Sequence, residues 1–385
     1  MKTSAIDHFP LRIATGEQFR NRLDEKALLN RNIDLTRHTV LLAPRRYGKS
    51  SLVYKVAEES KAPFAVIDLF LAHDDQAITK RILLGISQIV SRITPITTKA
   101  LHSIQKHFNN FKVNFSTHEF QISVAHESGV TNPVDQIFDA LKNLSELAKT
   151  KKQKIILFFD EFQDIARAEN AKSIEGAIRH VAQSTEWIVF IFSGSTRHLL
   201  LELFDDNNKP LYKLCDKIII ERISADHYIP YLQKTAKKRW GESITDEIII
   251  RILTITELHP FYINMLCNEV WKNEKTPTLN CISKAWQTCY EQEERWAVAE
   301  IEKLTGNQQD LLKTLALNPT HEPNSHQFVS LSGLSLASVR VGLKALIEKD
   351  MVYQIKKEDA SLSFLKAGEY RVLDPLIAYA LRKYS

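Results

Sequence analysis

Residues 39–56 read Thr-Val-Leu-Leu-Ala-Pro-Arg-Arg-Tyr-Gly-Lys-Ser-Ser-Leu-Val-Tyr-Lys-Val. The apolar run Val40, Leu41 and Leu42 predicts a buried strand, and an amphipathic helix is predicted from Lys49 onward. The bend between them is Ala43, Pro44, Arg45, Arg46, Tyr47, Gly48, Lys49, Ser50. Its spacing is that of a phosphate-binding loop, G-x-x-x-x-G-K-[ST], with Ala43 in the place of the first glycine. Gly48 lets backbone N–H groups turn onto phosphate oxygens, and the start of the helix adds the positive end of its dipole. Lys49 would reach the β- and γ-phosphates, and the Ser50 hydroxyl would bind magnesium. Residues 43–50 together with Ser51 are therefore the candidate nucleotide contacts. Ala43 suits its place only if that residue avoids positive φ. An ordinary basic turn between strand and helix is the alternative.

A second feature completes the first. Ile155-Ile-Leu-Phe-Phe-Asp160-Glu161 is an apolar strand ending in two acids. Asp160 would hold magnesium beside the loop, and Glu161 would orient and polarise the attacking water, as a hydrolytic site requires. A strand is predicted between the two features, Pro63-Phe-Ala-Val-Ile-Asp-Leu-Phe70. That suits the branch of P-loop folds in which a further strand stands between the metal strand and the loop strand. Asn208-Lys209-Pro210-Leu211 lacks the Asp of a guanine-binding N-K-x-D, so ATP is the expected nucleotide. Leu331-Ser-Gly-Leu-Ser335 resembles a transporter-ATPase signature but stands after Asp160 and before a helix, and is set aside.

Trp187–Phe192 and Lys217–Ile220 predict two more strands, and strands alternating with helices predict a parallel α/β sheet. Ahead of it, Glu17–Leu29 reads as a helix with Phe19, Leu23 and Ala27 on one stripe. Helices are predicted at about 75–93, 97–109, 134–147 and 170–184. Phe111, Val113 and Phe115, then Phe120, Ile122 and Val124, alternate with polar residues and predict a hairpin over 111–125. Its apolar face either packs on the domain or binds a partner. Lys149–Lys154 reads as a solvated charged loop.

After residue 223 the strands stop. Helical patterns at about 226–240, 245–256, 260–272 and 280–304 predict a lid, with Pro230 near the start of its helix. From 305 to 385 the order is helix, helix, helix, hairpin, with a closing helix from Pro375. That is a winged helix-turn-helix. Three parts follow: an α/β core over 1–223, a lid over 224–304 and a winged segment over 305–385.

Composition excludes several classes. A net charge of +5 is too mild to argue for nucleic acid by itself. No run approaches 18 apolar residues and the first residues lack the apolar core of a signal peptide, so a cytoplasmic, non-membrane protein is expected. Cys215, Cys267, Cys281 and Cys289 form no C-x-x-C pair and read as reduced thiols.

Two weaker constellations remain. Ser193 and Ser195, at the end of the fourth strand, offer hydroxyls where a γ-phosphate sensor would stand, or else cap a helix. Arg197 would neutralise developing charge in cis or in trans, or pair with a surface acid. In the winged segment Val339, Leu343, Leu346 and Ile347 share a stripe and should be core. Ser338, Arg340 and Lys344 then face outward, with Lys356 and Lys357 on the wing. Duplex DNA is one partner such a surface fits; an intramolecular clamp or a protein platform is another.

Taken together these stretches resemble a family of prokaryotic AAA+-type ATPases, allied to the STAND signalling ATPases and distant from the origin-recognition ATPases. The resemblance rests on Phe19-Arg-Asn-Arg22, the loop from Ala43 to Ser50, Leu157-Phe-Phe-Asp-Glu-Phe-Gln163, Phe192-Ser-Gly-Ser-Thr-Arg-His-Leu199, His259-Pro-Phe-Tyr-Ile-Asn264 and Tyr370-Arg-Val-Leu-Asp-Pro375. It implies an ASCE-type sheet, a helical lid, a C-terminal winged helix, and ATP with magnesium bound between sheet and lid. It also implies an adenine contact at Pro260, although Leu258 stands where STAND proteins carry Gly. No Met-His-Asp motif and no long C-terminal sensor repeats are present, so a protein partner or further copies of the chain would supply the sensing part.

Two functions fit: a magnesium-dependent ATPase whose turnover switches or remodels a partner complex, and a nucleotide-gated DNA-binding regulator or scaffold with slow or no hydrolysis.

Overall fold

The computed structural model describes residues 8–19, 21–95, 97–115, 119–124, 132–355 and 365–383. Lys356, Lys357 and Arg20 lie outside the described residues. The described residues fall into two compact units. One is drawn from Arg22–Arg45 and Lys49–Ile220, the other from Met1–Asn21, Arg46–Gly48 and Glu221–Ser385.

The first unit is built on strands β1 (Thr39–Leu42), β2 (Phe64–Asp68), β3 (Phe111–Phe115), β4 (Phe120–Val124), β5 (Ile155–Asp160), β6 (Ile188–Gly194) and β7 (Asp216–Ile219). Five of them form a parallel sheet in the order β2-β5-β6-β1-β7. Every residue of β1 and β6 is buried, as is all of β5 except Asp160. These strands are apolar on both faces, which is why they read as unbroken hydrophobic runs. One strand does separate β5 from β1, but it is β6. The strand over 63–70 that suggested the arrangement is the outer neighbour of β5. Strand order is a matter of pairing, to which hydrophobic periodicity is blind.

Helix Asp75–Ile93 lies so close on β2 that a Cβ on Gly85 would come 2.5 Å from Ile67 Cγ1. The same helix anchors the β3–β4 hairpin. Ser91 Oγ accepts from the Phe120 N–H at 2.8 Å and Ser87 Oγ from the Ile122 N–H at 3.0 Å. Phe111, Val113, Phe120 and Ile122 are buried in the same core.

Three expectations change. The first helix is Leu23–Asp34, because Asn21 and Arg22 both have positive φ, 46° and 70°, and interrupt the run. Its buried positions are Leu29, Asn32 and Ile33, while Leu23 is exposed. Helix Pro133–Lys151 takes in Lys149 and Lys151, cations that suit its negative C-terminal end, and stops at Lys152 in the left-handed region. Beyond it Lys154 Nζ donates to the carbonyls of Ile33 and Asp34 at 3.0 and 2.7 Å, closing the C-terminus of the first helix.

The second unit contains helices Ala225–Trp240, Asp246–Ile255, Pro260–Val270, Leu279–Glu302, Gly306–Leu317, His326–Ser332, Leu336–Glu348 and Pro375–Lys383, with β8 (Val352–Gln354) antiparallel to β9 (Tyr370–Val372). Pro230 falls in the second turn of its helix. One apolar cluster runs from Ile223 to Leu381, through both the lid helices and the winged segment. Phe9 joins it, its ring edge-on to Tyr231 and Trp271. The Asn264 and Asn268 amides donate to the carbonyls of Pro10 and Phe9. Val339, Leu343 and Leu346 are buried, but Ile347, expected among them, is exposed at 39%. It stands one residue past Leu346, some 100° around the helix from that stripe. Among the described residues no single helix is long and apolar enough to cross a membrane.

Candidate nucleotide site

Three strand ends meet at one level of the sheet. Leu42 pairs with Gly194, and Phe159 pairs with Phe192, so the loop after β1, the acids at the end of β5 and the end of β6 converge. Parallel sheets offer ligand sites at this carboxyl edge.

Asp160 is the hub. Its Oδ2 accepts from the Ser50 hydroxyl at 2.9 Å, and its Oδ1 from the Ser193 hydroxyl and from the Glu161 N–H at 3.1 Å. Lys49 is buried, its ammonium donating to the carbonyls of Ala43 and Pro44 at 3.2 and 3.3 Å. Ser193 lies inside β6 and is fully buried, not in the turn that follows. Ser195, one residue beyond the strand, serves the other acid.

Glu161 has φ 51°, and its carboxylate turns to the end of β6. Oε2 accepts from Ser195 Oγ at 2.7 Å, Ser195 N at 3.1 Å and Gln163 Nε2 at 2.7 Å. Burial works against the charged form, but the Ser195 hydroxyl, the Gln163 amide, the Ser195 N–H and the Lys49 charge outweigh it and hold this carboxyl below its ordinary value. Glu161 is therefore ionised at neutral pH.

Ala43 is outside the positive-φ region, whereas Arg46 (65°) and Gly48 (89°) occupy it. The first position of the loop thus tolerates a side chain. A Cβ on Gly48 would meet nothing within 4 Å, so backbone conformation rather than space calls for glycine there. Ser51 is buried in the first turn of helix Lys49–Ser60.

The side chains fit a nucleotide with magnesium. Lys49 is a cation for phosphate. The Ser50 hydroxyl and the Asp160 carboxylate are adjacent hard oxygens, and magnesium takes few protein ligands while keeping water and phosphate for the rest. Ser50 and Asp160 would hold the metal, and bound there it would neutralise charge on the phosphates.

Arg46–Gly48 belong to the second unit, with Pro260. The Arg46 guanidinium lies 4.2 Å from the centroid of Phe261 and 5.7 Å from that of Trp296. Tyr47 is buried, its ring 4.8 Å edge-on from His259 and its hydroxyl accepting from Arg222 Nε at 3.1 Å. Pro260 opens helix Pro260–Val270, and His259 is buried as its N-cap. Arg45 is exposed. Arg197 opens helix Arg197–Asp205 and is half-buried.

Gln163 and Arg222 carried no role in the sequence. Gln163 closes the quoted motif Leu157–Gln163, two positions past Glu161, and that short spacing was its only signal. Arg222 has partners at positions 47, 257 and 373, which no local pattern joins.

In the winged segment Arg340 and Lys344 are exposed and Ser338 is half-buried. Arg340 Nε donates to Asn324 at 3.3 Å, and Lys344 stands 3.9 Å from Glu348. Ser338 is occupied locally, its N–H bonded to the capping hydroxyl of Ser335.

Residues 299–383 match a family model described as "Probable winged helix domain". No curated protein matches the chain. Among solved structures the chain is similar to the Walker-type ATPase PABY2304 of Pyrococcus abyssi, with 19% identity and a TM-score of 0.69, over 97% of this chain and 99% of that one. It is also similar to the ORC2 protein of Aeropyrum pernix in its ADPNP–ADP complexes, with 12% identity and a TM-score of 0.55, over 97% of each chain. With the sheet order, these likenesses establish the architecture: the chain has the fold of these proteins, a parallel β-sheet core flanked by helices, followed by a C-terminal winged helix-turn-helix module.

Proposed function

We propose that the protein binds ATP with magnesium and hydrolyses it, using turnover to switch or remodel a partner complex. One observation carries the reading: Ser50 and Asp160 are in direct contact at 2.9 Å, with Lys49 opening the helix after the loop and Glu161 directly after β5. Lys49 binds the β- and γ-phosphates, and Ser50 and Asp160 hold the metal. Glu161 orients the attacking water and accepts its proton. Ser193 keeps Asp160 aligned, Ser195 reports the γ-phosphate, and Arg197 neutralises developing charge in cis or from a second copy. The nucleotides in the Aeropyrum pernix ORC2 structure support this use of the fold.

The test is ATP binding and phosphate release, with and without magnesium. Lys49→Ala should lose both; Glu161→Gln should keep binding and lose release. Normal turnover by Glu161→Gln would remove the assignment.

A second reading, a nucleotide-gated DNA-binding regulator or scaffold with slow or no hydrolysis, is favoured by the outward cations Arg340 and Lys344 on helix Leu336–Glu348. It requires salt-dependent duplex binding that weakens with Arg340→Ala and Lys344→Ala. Leu336 and Val341, exposed on the same helix, support a protein partner instead if duplex affinity is indifferent to those changes.

A further inference from the structure

Gln163 is 6% exposed, and its amide sits directly over Gly194, where a Cβ would fall 1.9 Å from Gln163 Oε1. Gly194 is not in the positive-φ region, so the backbone does not demand glycine there. The absent side chain makes room for the amide. The amide presents Nε2 to Glu161 Oε2 at 2.7 Å. Its Oε1 is then left buried with no hydrogen-bond partner among the described residues. Leaving that acceptor unpaired is a cost that an apolar side chain of the same length would avoid. The amide N–H is the gain that offsets this cost.

The three donors all fall on Glu161 Oε2. Three hydrogen bonds fill one carboxylate oxygen, so Oε2 has no room for water. Among the described residues Oε1 has no hydrogen-bond partner, and it is not fully buried. One oxygen is tethered and the other presented.

We propose that Gln163 is a positioning residue for hydrolysis: seated over Gly194, it fixes Oε2 of Glu161 so that Oε1 faces the attacking water. The inference rests on the hydrolytic reading of the site and adds to it an orienting group outside the loop and the metal ligands. It also explains why Asp-Glu-Phe-Gln163 and Ser-Gly194-Ser occur in one chain, since the glutamine needs the glycine.

The test uses the full chain and two variants that displace the amide by different routes. Gln163→Met keeps the length and removes the donor. Gly194→Ala drives the flexible amide away by contact while leaving Gln163 in the sequence. Two readouts are taken: kcat and KM for ATP at steady state, and solvent protection of the Gln163 side-chain amide protons by NMR in the nucleotide-free protein, assigned with Gln163→Met. Both variants should lower kcat about 10- to 100-fold, as a misplaced reacting group does, with KM for ATP within about twofold. The Gln163 amide should be protected from exchange in the wild-type chain and lose that protection in Gly194→Ala and in Glu161→Ala. An amide that exchanges equally fast in all three overturns the tether. A lost tether with kcat unchanged or raised overturns the positioning role. If the wild-type chain turns over no ATP, the hydrolytic reading fails by itself, and the amide protection still decides whether Gln163 holds Glu161.

Discussion

Arg222 Nε donates to the Tyr47 hydroxyl at 3.1 Å, although 175 positions separate the two residues. Both are buried, and the guanidinium has further acceptors in the carbonyls of Glu257 and Leu373. Glu257 Oε2 is 3.5 Å away, and the Tyr353 ring centroid lies 4.3 Å from the guanidinium carbon. Arg371 and Arg382 also face Glu257, at 3.4 and 3.6 Å. Removing one partner of a buried ion pair leaves the other uncompensated, which costs about 3–5 kcal/mol. Arg222→Met should therefore lower the urea midpoint steeply. Tyr47→Phe removes one hydrogen bond and should cost about 1–2 kcal/mol. Equal, small effects from both would show that the charge network contributes little.

Gly85 tests the close approach of helix Asp75–Ile93 to β2. Its Cβ would meet Ile67 Cγ1 at 2.5 Å, Cδ1 at 3.1 Å and Cβ at 3.9 Å. Overpacking of this kind costs about 1–3 kcal/mol. Gly85→Val should destabilise the chain by at least that much, and Gly85→Val with Ile67→Ala should recover part of the loss. Chemical denaturation of the three variants checks it.

Gly48 is required by its backbone and not by its surroundings. At φ 89° any side chain is strained by about 1–2 kcal/mol. Gly48→Ala should reshape the loop, losing ATP affinity with only a modest fall in Tm. Calorimetric binding alongside thermal unfolding separates the two effects.

Glu175 predicts a pH dependence. It is buried in helix Ala171–Ser184, and both carboxyl oxygens lack hydrogen-bond partners among the described residues. Burial raises its pKa to about 7, against the opposing charges of Lys209 and Lys172, with Glu202 adding to the rise. The folded pKa exceeds the unfolded one, so the contribution is fully present below about pH 4.5 and is lost as pH rises through about 7. Screening by nearby solvent leaves about 1–2 kcal/mol of that dependence. Glu175→Gln should stabilise the protein at pH 8 and have little effect at pH 4.5. Stability curves for both chains between those limits decide it.

What was legible followed from local pattern. The unbroken apolar runs marked β1, β5 and β6 because both faces of those strands are covered. The alternation at Phe111–Val113 and Phe120–Ile122 marked the hairpin, and 3.6-residue periodicity marked the lid helices. The bend after β1 and the acid that ends β5 could be placed because each closes an unbroken apolar run. Features set by pairing or by conformation were not legible. Nothing local says that β6 and not β2 lies beside β1, or that Arg22 adopts positive φ and delays the start of the first helix to Leu23. Lys149 and Lys151 looked like a loop because charge marks exposure, and the last turn of a helix is exposed too. Gln163 stood in plain view, but its partner Gly194 lies on another strand.

The 110 positions between Ser50 and Asp160 carry a consequence for synthesis. A nascent chain that has emerged only as far as helix Pro133–Lys151 already holds the entire loop from Ala43 to Ser50, yet has no acid to set against it. β1 then lacks both of its sheet neighbours, β6 and β7, which are made later still. The contact between Ser50 and Asp160 can therefore form only after β5 has been made, and β1 is enclosed on both sides only once β7 has followed.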